Sequence, residues 1–238
     1  MQGQDGNFYG TTSFGGVNGA SAAGGTIFKI TPSGTLTTLC SFCSQTNCAD
    51  GAIPMVGALV QGTDGNFYGA TQNGGNPGCV NYDLGRRGCG TLFRITPSGK
   101  LTTLLYKFCH VTGCPDGALP FGGLFQATDG NFYGTTYGGG AADCSGFACG
   151  TAYRLSVGLG PFVSLQRPYG KVGQSVGILG QGLTGTTSVS FKGTPASFTV
   201  ISDTYIRARV PTGATTGTIS VTTPGGTLNS NMAFLVLP

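Results

Sequence analysis

The chain has 238 residues, of which 39% are hydrophobic, only 8% are charged and 45 are glycine. So much glycine excludes a helical protein, because glycine costs a helix interior about 1 kcal/mol relative to alanine, and apolar residues recurring in ordered blocks exclude disorder. The net charge of +4 is scattered, with Arg86-Arg87 and the Arg207/Arg209 pair its densest points, so no basic stripe exists to meet a nucleic-acid backbone.

In chain order, the first element is Gln2-Gly-Gln-Asp-Gly-Asn-Phe-Tyr-Gly-Thr-Thr12. It recurs as Gln61-Gly-Thr-Asp-Gly-Asn-Phe-Tyr-Gly-Ala-Thr71 and as Gln126-Ala-Thr-Asp-Gly-Asn-Phe-Tyr-Gly-Thr-Thr136. Asp-Gly between apolar runs is a hairpin signal, since both residues tolerate positive φ. A second block, Gly25-Thr-Ile-Phe-Lys-Ile-Thr-Pro-Ser-Gly34, recurs from Gly90 and begins again at Gly150. Here proline presets the turn and glycine closes it. Between the two blocks lies one loop of variable length per repeat. Each repeat therefore reads as a four-stranded meander of about 60 residues, the pattern of a propeller blade. Only about two and a half units are present, so the expected fold is all-β with incomplete, propeller-like repeats whose open edges favour self-association.

The chain opens in mid-repeat with no signal peptide, and the expectation is an exported protein whose leader lies outside this sequence. No apolar run is long enough to span a membrane as a helix.

The repeat blocks resemble the Gloeobacter/Verrucomicrobia-type tandem repeat, called GloVer, over residues 1 to about 156. That resemblance implies an exported bacterial surface protein of the "choice-of-anchor" kind, with propeller-like repeats and no enzymatic role to transfer. This chain departs from the pattern in having few repeats and no visible anchor.

Composition changes near Gly158-Leu-Gly-Pro161. The reading is a repeat domain over 1–157, a linker over 158–160 and a second domain over 161–238. Seven short runs follow, Phe162–Gln166, Ser175–Gln181, Ser188–Phe191, Ala196–Ser202, Tyr205–Val210, Gly217–Thr223 and Ala233–Leu237. Their alternation (Val176/Ile178, Val189/Phe191, Ile206/Ala208/Val210) predicts a β-sandwich. Gly170-Lys-Val-Gly173, Ile178-Leu-Gly180-Gln-Gly182-Leu and Val210-Pro-Thr-Gly213-Ala resemble an IPT/TIG domain, which implies an immunoglobulin-like fold serving as spacer or adhesion module.

All nine cysteines precede the sandwich. Cys43…Cys48 and Cys109…Cys114 stand at the same repeat position, and the variable loops carry Cys79…Cys89 and Cys144…Cys149. Four local disulfides and an oxidising, extracellular or cell-surface location follow. Cys40 is left unpaired. Aligned with Leu105, it reads as a buried apolar thiol, with a Cys40-x-x-Cys43 redox or zinc pair and an intermolecular bridge as the other readings.

No metal, cofactor or catalytic set is expected. His110 is a lone loop histidine, and Gly173-Gln-Ser175-Val-Gly177 lacks the strand–elbow–helix context of a hydrolase serine. Asp5, Asp64 and Asp129, like Asp50 and Asp116, are repeated turn residues; among the rest, Asp83, Asp143 and Asp203, no pair stands out for acid–base work. The residues for ligand binding are Tyr82, Arg86 and Arg87 in the longest variable loop, with Tyr137 and Phe147 in another, because aromatic platforms with a few polar groups suit sugars. The expected function is a cell-surface structural or adhesion protein with an Ig-like spacer, whose surface-polymer or protein partner the sequence does not name. The alternative is a glycan-binding module, and an enzyme is not expected.

Overall fold

The structure, a computed structural model, describes residues 1–18, 24–54, 59–81, 86–140 and 149–238, excluding the side chains at 80–81, 86–87 and 102–104. It is all-β, its one helical piece among these residues being a short 3₁₀ turn at Thr46–Cys48. Several sheets are present, and among the described residues none closes into a barrel. Two compact units emerge, Met1–Gln126 with Phe132–Leu155, and Ala127–Asn131 with Ser156–Pro238.

In the first unit, repeat one supplies β1 (Phe8–Thr12), β2 (Thr26–Ile30) and β3 (Leu36–Ser41). Repeat two supplies β4 (Ala52–Pro54), β5 (Val60–Gln61), β6 (Phe67–Asn73), β7 (Val80–Asn81), β8 (Arg86–Arg87), β9 (Thr91–Ile95) and β10 (Leu101–Lys107). Repeat three supplies β11 (Ala118–Pro120), β12 (Phe125–Gln126), β13 (Phe132–Gly138) and β14 (Ala152–Leu155). The sheets run β1-β2-β3, β10-β9-β6-β4 with β5 on β6, and β11-β13-β12 with β14 on β13. The variable loop of repeat two contains its own small hairpin, β7-β8.

Repetition in sequence becomes repetition in contact. The Asp64 carboxylate accepts the N–H of Asn66 at 3.2 Å, the Asn66 side-chain amide at 2.7 Å and the Tyr68 hydroxyl at 2.8 Å. Asp5 does the same with Asn7 and Tyr9. The Asp-Gly-Asn-Phe-Tyr motif is thus an Asx-type turn that also ties down the strand after it. Burial, then these hydrogen bonds, push the Tyr9 and Tyr68 phenols up to about 12.

Neighbouring repeats lock through an aromatic ladder. Tyr9 stacks on Phe67 with ring centroids 4.1 Å apart, and Tyr68 stacks on Phe132 at 4.2 Å. Glycine follows each Phe-Tyr because the next strand's ring lies over it: a Cβ on Gly69 would sit 2.5 Å from the Phe93 ring. Paired threonines, Thr12–Thr26, Thr71–Thr91 and Thr136–Thr151, join hydroxyls across β1/β2, β6/β9 and the start of β14. Between repeats one and two the interior is Tyr9, Ile27 and Phe42 against Leu59, Phe67, Phe93 and Ile95.

The second unit contains β15 (Ser164–Leu165), β16 (Tyr169–Lys171), β17 (Ser175–Leu179), β18 (Ser188–Phe191), β19 (Thr194–Pro195), β20 (Phe198–Ser202), β21 (Tyr205–Arg209), β22 (Ile219–Thr223), β23 (Gly226–Asn229) and β24 (Leu235–Leu237). Sheets β15-β17-β21-β20 and β19-β18-β22-β23 enclose one core of Val176, Ile178, Val189, Phe191, Ile206, Ile219 and Val221. This is a sandwich. β16 and β24 pair in parallel, Tyr169 opposite Leu235 and Lys171 opposite Leu237. Three strands here lie outside the seven expected runs. β16 contains a glycine, β19 ends in proline and β23 starts at a glycine of the hairpin, so propensity hides all three.

Candidate functional site

Repeats two and three match less well than one and two, and the mismatch opens a cleft. β9 carries Leu92 and Phe93 where β14 carries Ala152 and Tyr153; Ile27 and Phe28 stand there in β2. Alanine leaves room that leucine and isoleucine fill. Leu101 of β10 also packs onto the repeat one–two interior, whereas β14 is the last strand of repeat three. The result is a cavity of about 360 Å³ whose walls include Tyr106, Phe108, Asp116, Ala152, Tyr153 and Arg154.

Its aromatic wall is continuous. Phe108 meets Tyr106 edge-on at 5.1 Å and Tyr153 at 5.0 Å. The polar group is Asp116, whose Oδ2 accepts the Tyr106 hydroxyl at 2.9 Å and the Cys109 N–H at 2.9 Å and lies 3.0 Å from His110 Nδ1. Its Oδ1 is buried with no hydrogen-bond partner among the described residues. Burial pushes this carboxyl up, but the hydrogen bonds from Tyr106, His110 and the backbone outweigh it, leaving the pKa below the ordinary carboxylate value. Burial, then the bond to Asp116, pushes the Tyr106 phenol up to about 12, and burial alone pushes Tyr153 further still.

A phenol whose pKa is raised on folding contributes stability that is complete below its unfolded value near 10 and lost as pH rises through its folded value. Tyr9, Tyr68 and Tyr106 share that direction. An alkaline titration followed by phenolate absorbance is therefore expected to show a class of tyrosines ionising near pH 12, together with loss of the far-ultraviolet strand signal. Tyr68→Phe should move that loss to higher pH; an unchanged midpoint would count against these bonds.

The disulfides are Cys43–Cys48, Cys79–Cys89 and Cys109–Cys114, and Cys149 is also bonded. Cys144 lies outside the described residues. Both Cys-x4-Cys loops and the segments after them follow one plan: positive φ at Cys43 and Cys109, at Cys48 and Cys114, and at Ile53 and Leu119. In the first loop Asp50 accepts the N–H and hydroxyl of Ser44, as Asp116 accepts Cys109 and Tyr106 in the second. The sulfurs of Cys79, Cys89 and Cys109 lie within 4.8 Å of one another. That is a metal-ligand spacing, but zinc needs thiolates and these sulfurs are bonded.

Cys40 is a free thiol, and Cys43 is bonded to Cys48. Burial, then the nearby Asp50 carboxylate, pushes the Cys40 thiol up to about 11, which keeps it protonated and unreactive. Its counterpart is corrected by strand register. Cys40 faces Ile27 and Tyr106 faces the equivalent Leu92, while Leu39 and Leu105 fall at bulges. β10 carries one residue more than β3 does, at its Leu101/Thr103 bulge, so gapless alignment put Leu105 opposite Cys40. The thiol of repeat one stands where the phenol of the cleft stands in repeat two.

Of the residues read as ligand-binding, Tyr137 lies in β13 rather than in a loop. It is 69% exposed with its ring 6.2 Å from Phe121, away from the cleft lining. Arg86 and Arg87 form β8 opposite Asn81 and Val80; their side chains, Tyr82 and Phe147 lie outside the described residues. Asp83 and Asp143 do too. Asp203 accepts the N–H groups of Gly182 and Thr184 and so anchors a sandwich loop. His110, read as solitary, is held by Asp116 and Tyr106. Sequence reading missed Tyr106, Phe108, Asp116, Tyr153 and Arg154 as a group. The available signal was divergence from the repeat, at Cys40/Tyr106, Leu92/Ala152 and Phe93/Tyr153.

Among solved structures the chain is similar to SGBP-B from a complex xyloglucan utilization locus in Bacteroides uniformis, at 18% identity and TM-score 0.27, covering 46% of this chain and 30% of that one. It is also similar to a fungal alcohol oxidase of the AA5 family in complex with copper, at 15% identity and TM-score 0.37, covering 95% and 51%. A third is a gamma-CGTase from the alkalophilic Bacillus clarkii, at 17% identity and TM-score 0.29, covering 72% and 24%. The chain thus spans between about a quarter and a half of their lengths. Likeness at this level carries no functional reading. No curated protein matches the chain. The IPT/TIG domain model matches residues 162–236, and the Gloeobacter/Verrucomicrobia repeat model matches residues 1–167. The aromatic ladder and the Asx turns lie within the matched residues, and the chain belongs to the Gloeobacter/Verrucomicrobia repeat family.

Proposed function

We propose that this is an exported cell-surface protein with a structural or adhesive role. The blade-like repeats, over about 1–157, present disulfide-closed loops, and the IPT/TIG module over 161–238 acts as spacer. The observation that carries this reading is the combination of loop-closing disulfides with these two domain types on one chain. Disulfides persist in oxidising compartments, and the three pairs join cysteines only 5 or 10 positions apart rather than elements distant in sequence.

The cleft supports a second reading, a saccharide subsite. The half-buried Tyr106 and Tyr153 offer C–H-binding ring faces backed by the buried Phe108, while Asp116 and Arg154 offer an acceptor and a donor for hydroxyls. Catalysis is not proposed: Asp116 is the one carboxylate lining the cleft among the described residues, and glycoside hydrolysis in its usual form needs two.

A panel of soluble polysaccharides titrated calorimetrically against the oxidised chain separates these readings. Saturable binding weakened tenfold or more by Tyr153→Ala supports the subsite. Attachment to protein- or polymer-coated surfaces that survives Tyr153→Ala but is lost on reduction supports adhesion through the loops. Release of reducing ends that Asp116→Asn abolishes would overturn the non-enzymatic reading.

A further inference from the structure

The face of repeat one that points away from repeat two is an uncovered copy of a face buried elsewhere in the same unit. In repeat two, Phe67, Ile95 and Leu101 form one cross-strand row, with Phe93 in the next row. Phe67, Phe93 and Ile95 are at most 1% exposed, covered by Tyr9, Ile27, Leu39 and Phe42 of repeat one. The same row in repeat one is Phe8, Ile30 and Leu36, with Phe28 beside it. There Phe8 is 45% and Leu36 63% exposed. None of these four side chains is charged, and Lys29 alternates to the other face.

Two further features point the same way. Gln61 and Gln126 act as rungs between repeats: the Gln61 side-chain oxygen accepts the Gln4 N–H at 2.9 Å, and that of Gln126 accepts the Thr63 N–H at 3.0 Å. Gln2 is set identically, its amide donating to Gly6 as that of Gln61 donates to Gly65. Its oxygen, however, meets no N–H among the described residues. Repeats two and three also each carry an outer strand supplied by the segment after a Cys-x4-Cys loop, β4 on β6 and β11 on β13. β1 is instead the edge of its sheet among the described residues.

We propose that this face is a docking surface for one more repeat of the same kind, joined in tandem ahead of the first. Its Tyr-bearing side covers Phe8, Phe28, Ile30 and Leu36, its connecting segment adds along β1, and its turn donates an N–H to Gln2. Row, rung and edge on this face all match the side that repeat two shows to repeat one. The opposite end does not invite the same partner, because Phe125 replaces Val60 there and stacks on Tyr133 at 5.6 Å.

The test is the full chain lengthened by a copy of residues 2–60 inserted between Met1 and Gln2. The lengthened chain should melt about 4 °C or more above the original. Phe8→Ala, mild in the original chain, should then lower Tm as much as Phe67→Ala does. An unchanged Tm, or a Phe8→Ala effect equally small in both chains, would overturn the proposal. Independently, Phe8→Ser with Leu36→Ser in the 238-residue chain should leave Tm within about 2 °C; a larger fall would mean the face already packs within the chain and sinks the idea. Light scattering should give a monomer across concentration, and a Phe8-dependent dimer would assign the face to a second copy instead.

Discussion

Phe67→Ala is expected to destabilise the repeat unit by about 3–5 kcal/mol, the range for removing a fully buried phenylalanine from a core. Phe67 has no exposed surface, stacks on Tyr9 at 4.1 Å and belongs to the interior shared by repeats one and two. The loss combines the transfer of apolar area back to water with a void that the flanking sheets are held from closing. Those sheets are pinned by the Thr71–Thr91 pair and by the Asp64–Tyr68 bond. A urea titration reporting the first unit's transition provides the measurement. A shift below about 1 kcal/mol would show that the ladder collapses around the gap and that the stacking contributes little.

The second large effect is expected at Gly90, from two causes that reinforce each other. Its φ is +99°, where side-chain-bearing residues are strained, and a Cβ there would lie 2.5 Å from the Thr71 carbonyl oxygen and against the Pro120 ring. The carbonyl is backbone within the paired β6, and the proline belongs to β11 of the next repeat, so neither yields easily. Strain and overlap together put Gly90→Ala at about 2–5 kcal/mol. Gly65→Ala is the control. Its φ is +80° but nothing lies within 4 Å of the added carbon, so only the left-handed penalty of about 1 kcal/mol remains. If both variants lose the same stability by thermal or urea unfolding, the close approach between repeats is not what holds this glycine.

The all-β class and the repeats were legible because turn chemistry is local. Asp-Gly-Asn and Thr-Pro-Ser-Gly announce hairpins whatever surrounds them, and β2, β6 and β9 lie where the repeated blocks put them. The sandwich was legible from alternation at Val176/Ile178 and Val189/Phe191. Short strands such as β16 and β19 were not, since two or three residues held by a neighbour carry no pattern of their own. The cleft was illegible for a different reason. It arises from what the third repeat lacks relative to the second, a large side chain at Ala152 and a fourth strand. Tyr106 and Tyr153 meet across it only through contacts between sheets. The one-residue slip between β3 and β10 concealed even the kinship of Cys40 and Tyr106, because a bulge absorbs an insertion without disturbing the sequence on either side.

The parallel pairing of β16 and β24 has a mechanical consequence. Tyr169–Lys171 lies near the start of the sandwich and Leu235–Leu237 at its end. A pull on the chain ahead of residue 169 and behind residue 237 draws the two strands past each other along their length. All hydrogen bonds of the ladder then bear load together, as in shear, whereas the ends of an antiparallel hairpin would peel apart one bond at a time. Forced rupture is governed by the unfolding barrier rather than by equilibrium stability, and shear loading raises the force at which that barrier is crossed. A sandwich tethered at both ends would thus resist tension better than its modest size suggests, and unloading the β16–β24 ladder, rather than weakening the core, would be the way to make it give.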